Sequence, residues 1–121
     1  MFGGFFELYN KAMTTTHYKL VVTAPLSHAA TVREAMGNAG AGVQGAYSHC
    51  SFSSIGVGRY KAADNAQPFI GEAGKLNEAE EERIEVTVET TKLKAVYEAM
   101  MQAHPYEEVA YDLYALAELP F

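Results

Sequence analysis

The chain has 121 residues, a hydrophobic fraction of 49% and a formal net charge of −6. This length suits a single globular domain, and this composition can bury a core, which excludes an intrinsically disordered chain. The nine basic residues are outnumbered by fifteen acidic ones. Because phosphate contacts need a clustered basic surface, this balance argues against nucleic acid as a partner.

The cysteine and hydropathy content indicate where such a protein resides. Cys50 is the single cysteine, so an internal disulfide is excluded and a reducing compartment is indicated. No apolar run approaches the length of about 18 residues that a membrane-spanning helix requires. We therefore expect a cytoplasmic protein without a membrane span.

Residues 1–16 are interpreted as an extension that precedes one domain at 17–121. Apolar residues in the extension recur with helical spacing, which predicts a short amphipathic helix: Phe2, Phe5, Phe6, Tyr9 and Met13. We expect this helix to pack on its own domain or on a neighbouring subunit. A membrane-surface anchor is the alternative, although the segment lacks the basic face of such anchors.

The first part of the domain predicts a strand followed by a helix. A β-rich run at 19–24 stops at Pro25, which supplies no amide donor. Ser27 then stands where a helix N-cap is expected, and Gly40 stands where a C-terminal cap belongs. Between them lies one apolar stripe with helical spacing: Ala29, Val32, Ala35, Met36 and Ala39.

A second copy of this pattern follows later in the chain. Apolar residues at 84, 86 and 88 alternate with polar ones, as in a strand with one buried face. A helical stripe follows over 93–103 and ends before Pro105. A shift of 64 positions overlays the two units: Leu20 on Ile84, Val22 on Val86, Val32 on Val96 and Met36 on Met100.

Each unit is followed by another strand-like stretch, at 46–52 and at 109–114. The order β-α-β-β-α-β predicts an α+β, ferredoxin-like fold, in which both helices cover one face of a four-stranded antiparallel sheet. The other face stays bare unless a partner covers it, which favours oligomerisation. The connection at 53–79 is too long for a simple turn, and we interpret it as a functional loop or an extended hairpin that reaches a neighbour.

Two glycine-containing segments are candidates for phosphate sites. The glycines at 40, 42 and 45 follow a helix and precede a strand, which is the wrong order for a dinucleotide site. Gly71, Gly74 and Lys75 hint at a phosphate loop, but Leu76 stands where a Ser or Thr would bind magnesium. The remaining possibility is a small anion nest.

The side chains able to bind a metal are His49, Cys50, His104 and Glu108. Imidazole, thiolate and carboxylate groups suit zinc or copper. If the stretch at 46–52 is a regular strand, His49 and Cys50 point to opposite faces. The alternative is therefore a buried cysteine and a hydrogen-bonded histidine with no metal.

Three segments together resemble a known family: YSHCSF at 47–52, QPFIGEAGKL at 67–76 and HPYEEVAYDLY at 104–114. They are similar to the YqfO-type domain, which is inserted in toroidal dinuclear-metal proteins once described as GTP cyclohydrolase type 2-like and which also occurs alone. The resemblance implies a domain similar to CutA and the PII signalling proteins, and with it a homotrimer. The dinuclear centre belongs to the flanking parts of the larger proteins, so it is not carried over.

These observations lead to three functional hypotheses. The first is a non-enzymatic homotrimer that binds a metal ion or small ligand in clefts between subunits, lined by Tyr47, His49, His104, Glu107 and Glu108, with Cys50 nearby. The second is a PII-like regulatory module that binds a nucleotide or phosphorylated metabolite through Gly71, Gly74 and Lys75. The third is an enzyme that uses His49 or His104 as an acid or base, although nothing places a nucleophile beside a base.

Overall fold

The computed structural model describes residues 15–121, so the helix predicted for the extension lies outside the described residues. The elements follow the predicted order: β1 His17–Pro25, α1 Leu26–Asn38, β2 Phe52–Lys61, β3 Leu76–Glu89, α2 Leu93–Ala103 and β4 Tyr111–Ala115. One turn of 3-10 helix, Thr90–Lys92, leads into α2. Within residues 15–121, neither helix has the length and apolar character needed to cross a membrane.

The four strands form one antiparallel sheet in the order β2-β3-β1-β4. This is the ferredoxin-like arrangement predicted from the repeat. In the register of β1 and β3, Leu20 lies opposite Val86, and Val22 lies opposite Ile84. The equivalent residues of the two repeated units therefore pair crosswise at the centre of the sheet.

The core lies between the two helices and one face of the sheet. The strand alternation sends Leu20 and Val22 of β1, with Ile84 and Val86 of β3, toward the helices. The full cluster of buried residues is Leu20, Val22, Ala24, Ala29, Val32, Met36, Ala41, Ile84, Val86, Val88, Val96 and Met100. Burial of each large side chain in this cluster contributes about 1.5–3 kcal/mol. Both predicted apolar stripes thus contribute to the core, although Tyr97 of the second stripe is 37% exposed.

Helix α1 ends as predicted and begins differently. Gly40 has φ +116°, and the amide of Ala41 donates to the carbonyl of Met36 at 3.0 Å, which is the glycine-terminated cap expected at this position. The predicted N-cap at Ser27 is wrong. The helix begins at Leu26, directly after the strand, with Pro25 at the cap position and no side-chain cap.

The strand predicted at 46–52 is also wrong, apart from its last residue. Gly45 has φ +57° and His49 has φ +60°. Both values lie in the left-handed region, where a strand cannot continue. The second strand instead begins at Phe52, which pairs with Glu85.

The connection at 53–79 forms part of the long β2–β3 hairpin, so the hairpin is confirmed, and its contact with a neighbour stays a prediction. Gly56 and Gly58 made β2 look like a loop, yet both lie within the strand. The acidic run at 78–82 lies inside β3. The hairpin carries these carboxylates on alternating faces of the sheet.

The last strand begins two residues later than the predicted 109. Tyr111 and Leu113 pair with core-facing residues of β1, whereas Asp112 pairs with Val21. Asp112 therefore lies on the face away from the helices.

Candidate functional site

A cavity of about 600 Å³ lies where β1 ends, between the β2–β3 hairpin, the segment that follows β2 and the segment that follows α2. We call it the Tyr106 cavity. The residues that define it are Thr23, Gly58, Tyr60, Phe69, Glu81, Tyr106, Glu107 and Glu108. The strand register places Gly58 and Glu81 on the sheet face turned away from the helices.

The Tyr106 side chain is the most unusual group in this cavity. Its hydroxyl oxygen is buried and meets no hydrogen-bond partner of ordinary geometry among residues 15–121, although the Glu81 carboxylate lies close enough to interact with it. Burial, followed by the charge of the nearby Glu81 carboxylate, raises the pKa of Tyr106 well above its usual value. The phenol therefore stays neutral, and it offers an oxygen and a proton to any molecule that enters.

Glu81 reaches the cavity because Gly58 has no side chain. A β-carbon at position 58 would overlap the Glu81 carboxylate. The two residues lie on the neighbouring strands β2 and β3, so the glycine provides the space in which the carboxylate lies. A charged acceptor is thereby held beside the Tyr106 hydroxyl.

The segments 67–76 and 104–114 meet at this cavity. The Gln67 amide donates to Oε1 of Glu107 at 3.1 Å, and the Tyr60 hydroxyl donates to the Ile70 carbonyl. The Phe69 ring lies 6.2 Å from the Tyr106 ring, measured between centroids. Two of the three family-like segments thus form one wall together.

His104 is buried behind Tyr106 and is fully engaged. Its Nε2 lies 2.7 Å from the carbonyl oxygen of Thr23, and its Nδ1 accepts the Tyr106 amide at 3.2 Å. A carbonyl can only accept, so these partners assign the proton to Nε2. Neither nitrogen keeps a lone pair for a metal ion, and His104 acts here by holding the loop that carries Tyr106.

Tyr47, His49 and Cys50 lie elsewhere in the fold, and Tyr47 is exposed. The Cys50 amide donates to the Gly42 carbonyl at 3.0 Å, and the Gly42 amide donates to the Thr87 carbonyl at 2.8 Å. Gly42, Cys50 and Thr87 line a smaller cavity of about 400 Å³, together with His17, Lys19, Phe52 and Glu85. We call it the Cys50 cavity.

The two cavities are far apart along β1. Thr87 pairs with Lys19, whereas His104 binds Thr23. Four residues of extended strand separate Lys19 from Thr23, a span of about 13 Å. Within one subunit, the histidines at 49 and 104 therefore do not reach a common ion.

His49 also has partners within its own subunit. Its Nε2 lies 2.9 Å from Oδ1 of Asn38, and its Nδ1 lies 2.9 Å from the Ser48 hydroxyl. No group of three His, Cys, Asp or Glu side chains with metal-binding geometry occurs in residues 15–121. The predicted set of His49, Cys50, His104 and Glu108 is not gathered in a single subunit.

The predicted anion nest has the expected backbone, and its donors are engaged. Gly71 and Gly74 have φ values of +90° and +78°. The Gly74 amide donates to the Ala62 carbonyl at 2.7 Å, and the Lys75 ammonium pairs with Glu72 at 2.7 Å. An anion would have to displace these internal contacts.

The sequence analysis identifies Glu107 and Glu108 as site residues but not Tyr106, Tyr60, Glu81 or Gly58. Gly58 and Tyr60 lie in the connection at 53–79 that was expected to be a loop or a hairpin, and Glu81 follows that connection in β3. Since their proximity follows from strand register across β2 and β3, only a correct prediction of that hairpin would have revealed it.

No protein-family model matches the chain. Among curated proteins, it is similar to the GTP cyclohydrolase 1 type 2 homolog of Bacillus subtilis, with 51% identity over 102 residues, covering 84% of this chain and 27% of the relative. The protein of the same name from Mycobacterium tuberculosis is 43% identical over 102 residues, with coverage of 84% and 27%. The chain spans about a quarter of the length of the curated relatives that it matches.

Comparison with solved structures shows the same similarity. A Bacillus cereus protein related to NIF3 superposes with a TM-score of 0.70 at 40% identity, covering 91% of this chain and 31% of that one. CutA from Synechococcus elongatus PCC7942 superposes with a TM-score of 0.63 at 15% identity, covering 86% and 80%. At that identity the likeness to CutA concerns the fold alone. The resemblance inferred from the three segments and the CutA-like fold are both confirmed.

Proposed function

We propose that this chain is a non-enzymatic cytoplasmic binding domain that forms a homotrimer and holds a small ligand in the Tyr106 cavity. It is homologous to a segment that makes up about a quarter of the length of the GTP cyclohydrolase 1 type 2 homolog. The supporting observation is that the segments 67–76 and 104–114 converge on a cavity in which a buried phenol lies beside the Glu81 carboxylate. A carboxylate has further acceptor sites beyond the one that faces the phenol, and a ligand can fill them. The volume is typical of small-molecule sites.

A binding role is favoured over catalysis by the side chains around the cavity. Its lining contains carboxylates and phenols but neither of the histidines considered as an acid or base. His49 lies at the Cys50 cavity end of β1, and both nitrogens of His104 are engaged. A nucleophile beside a base, which covalent catalysis requires, is not present in the part of this lining that the structure describes.

Self-association is supported by the two edges of the sheet. Among the strands of residues 15–121, β2 and β4 each pair with one neighbour, so each has an edge of backbone groups without a strand partner in this part of the chain. Ile55 and Val57 of β2 are 64% and 50% exposed, and Leu113 of β4 is 44% exposed. Exposed apolar side chains along open strands favour contact with another copy. The proposed number of subunits, three, comes from the resemblance to CutA and the PII proteins.

The test is native mass spectrometry of the full chain purified without chelator. We expect a trimer that carries a small-molecule adduct, and an Ile55→Glu variant that shifts toward monomer. Met101→Glu is the matched control, because Met101 is exposed on α2 and lies outside both edge strands. A monomer at micromolar concentration would overturn the oligomeric part of the proposal, and a trimer without an adduct would overturn the ligand part.

A metal ion shared between subunits is the second candidate, and the Cys50 cavity favours it. That cavity brings His17, Cys50 and Glu85 to one opening, with the thiol exposed. Zinc or copper would fit these donor types once another subunit completes the set. Zinc titration followed by native mass spectrometry should then give an adduct that Cys50→Ser abolishes and His28→Ala retains; a zinc adduct retained by Cys50→Ser would overturn this candidate.

A further inference from the structure

The Tyr106 cavity has more acidic than basic residues in its lining. Glu81, Glu107 and Glu108 contribute the carboxylates, and Arg59 and Lys61 of β2 are the basic residues of the lining. Strand alternation points their side chains to the face opposite Gly58 and Tyr60, and Arg59 pairs with Glu78 there at 3.1 Å.

These carboxylates are not arranged around a point. Within residues 15–121, no three metal-binding side chains converge closely enough to hold an ion. They are instead spread around a cavity of about 600 Å³. Acceptors at this spacing suit an elongated molecule. Its positively charged group can contact one wall of the cavity while the rest of the molecule fills the remaining volume.

The other wall is apolar and aromatic. Phe69 and Tyr106 lie with ring centroids 6.2 Å apart, and Phe69 is further fixed by the His28 ring at 5.3 Å. Ala62, Ala66 and Pro68 complete the wall. Aromatic faces attract cations as well as apolar surface.

We propose that the Tyr106 cavity binds an organic cation, namely a primary amine attached to an apolar or aromatic body. The ammonium group donates to the Glu81 carboxylate, and the body packs against Phe69. Glu81 is held at the required place because Gly58 leaves room for it. This inference rests on the proposed function and adds the charge class of the ligand.

Isothermal titration calorimetry with three probes of one shape tests the inference: phenethylamine, 2-phenylethanol and 3-phenylpropanoate. We expect the amine to bind at least tenfold more tightly than the neutral and anionic probes, because a hydrogen bond to a charged group is about twice as strong as a neutral one. Glu81→Gln should weaken amine binding about tenfold, which corresponds to about 1.4 kcal/mol. Glu85→Gln is the matched control, since it removes a carboxylate from the same face of β3 outside the cavity.

The outcomes separate this inference from the proposed function. Equal or tighter binding of 3-phenylpropanoate or 2-phenylethanol would overturn the cationic ligand and leave a binding domain in place. Amine binding that Glu81→Gln does not change, in a protein with an unchanged melting temperature, would overturn the site. A neutral or anionic adduct in native mass spectrometry would also overturn the charge class while supporting the proposed function.

Discussion

The Nε2 atom of His104, at the end of α2, lies 2.7 Å from the carbonyl oxygen of Thr23 in β1 and donates to it. The other ring nitrogen accepts the amide of Tyr106. One buried imidazole therefore joins a helix end, the central strand and the loop that leads to Glu107 and Glu108. The position of the Tyr106 cavity depends on a side chain that does not line it.

Replacement of His104 by phenylalanine should destabilise the protein by about 2–4 kcal/mol, because two buried backbone groups lose their partners while the ring volume remains. Urea denaturation measures the change. His49→Phe is the control, since His49 is exposed, and it should cost about 1 kcal/mol or less. Equal losses in the two variants would contradict the structural role assigned to His104.

Tyr106 should make stability depend on alkaline pH. Its pKa is raised in the folded protein above the usual 10.0, so the folded state keeps a proton that the unfolded state loses. The resulting stabilisation is complete below pH 10 and declines as the pH rises through the folded pKa. Melting curves at pH about 9 and about 11.5 should show a larger loss for the wild type than for Tyr106→Phe.

The control for this pH experiment is Tyr114→Phe, which removes an exposed phenol and should behave as the wild type does. If Tyr106→Phe and the wild type lose the same stability between the two pH values, the Tyr106 hydroxyl is not shielded from ionisation in the way that the structure indicates.

Gly42→Ala should destabilise the fold strongly. Gly42 has φ +76°, and a β-carbon there would overlap the backbone of Cys50, which cannot move as a flexible side chain can. We expect a loss of about 2–4 kcal/mol. Gly45 has φ +57° with nothing within 4 Å of an added β-carbon, so Gly45→Ala should cost only about 1–2 kcal/mol. Thermal denaturation of both variants measures the difference, and a reversed order would show that the contact is wrong.

Gly58→Ala should change binding more than stability. The added methyl group displaces the Glu81 carboxylate, the free end of a flexible side chain, so the fold survives while the acidic wall is rearranged. We expect phenethylamine affinity to fall about tenfold. Gly56→Ala is the control on the same face of the same strand, where an added β-carbon meets nothing within 4 Å. Unaltered affinity in Gly58→Ala would contradict the described position of Glu81.

The two halves of the repeat should contribute equally to the core. Val32 and Val96 are both fully buried and occupy equivalent places in α1 and α2. Each Val→Ala substitution should cost about 2 kcal/mol in urea denaturation, because it removes two methyl groups from a packed site. Val43→Ala should cost less than about 0.5 kcal/mol, since Val43 is 61% exposed. A large inequality between Val32→Ala and Val96→Ala would show that the repeat is not energetically symmetric.

Local periodicity was enough to predict the core and the topology. The apolar stripes that include Val32 and Val96 repeat every three to four residues, and the alternation through Ile84 and Val86 repeats every two. Those spacings are set by helix and strand geometry and need no knowledge of distant residues. The offset of 64 positions between the units then predicted the β-α-β-β-α-β order, which the sheet confirms.

Tertiary structure decided the second strand and the site. Judged by their neighbours in sequence, Gly56 and Gly58 are expected to interrupt a strand. Pairing with the long strand β3 nevertheless holds both glycines in β2. Likewise, the run at 78–82 carried no sign of which carboxylate enters a cavity. Strand register pairs Glu81 with Gly56, the Glu81 side chain extends over Gly58 two residues further along β2, and the fold brings Tyr106 beside it. The sequence alone determined which residues of the helices and central strands are buried, because the burial pattern depends on neighbours along the chain. Which carboxylate lies beside which phenol depends on residues that are far apart in sequence. Only the packed sheet and its loops determine that contact.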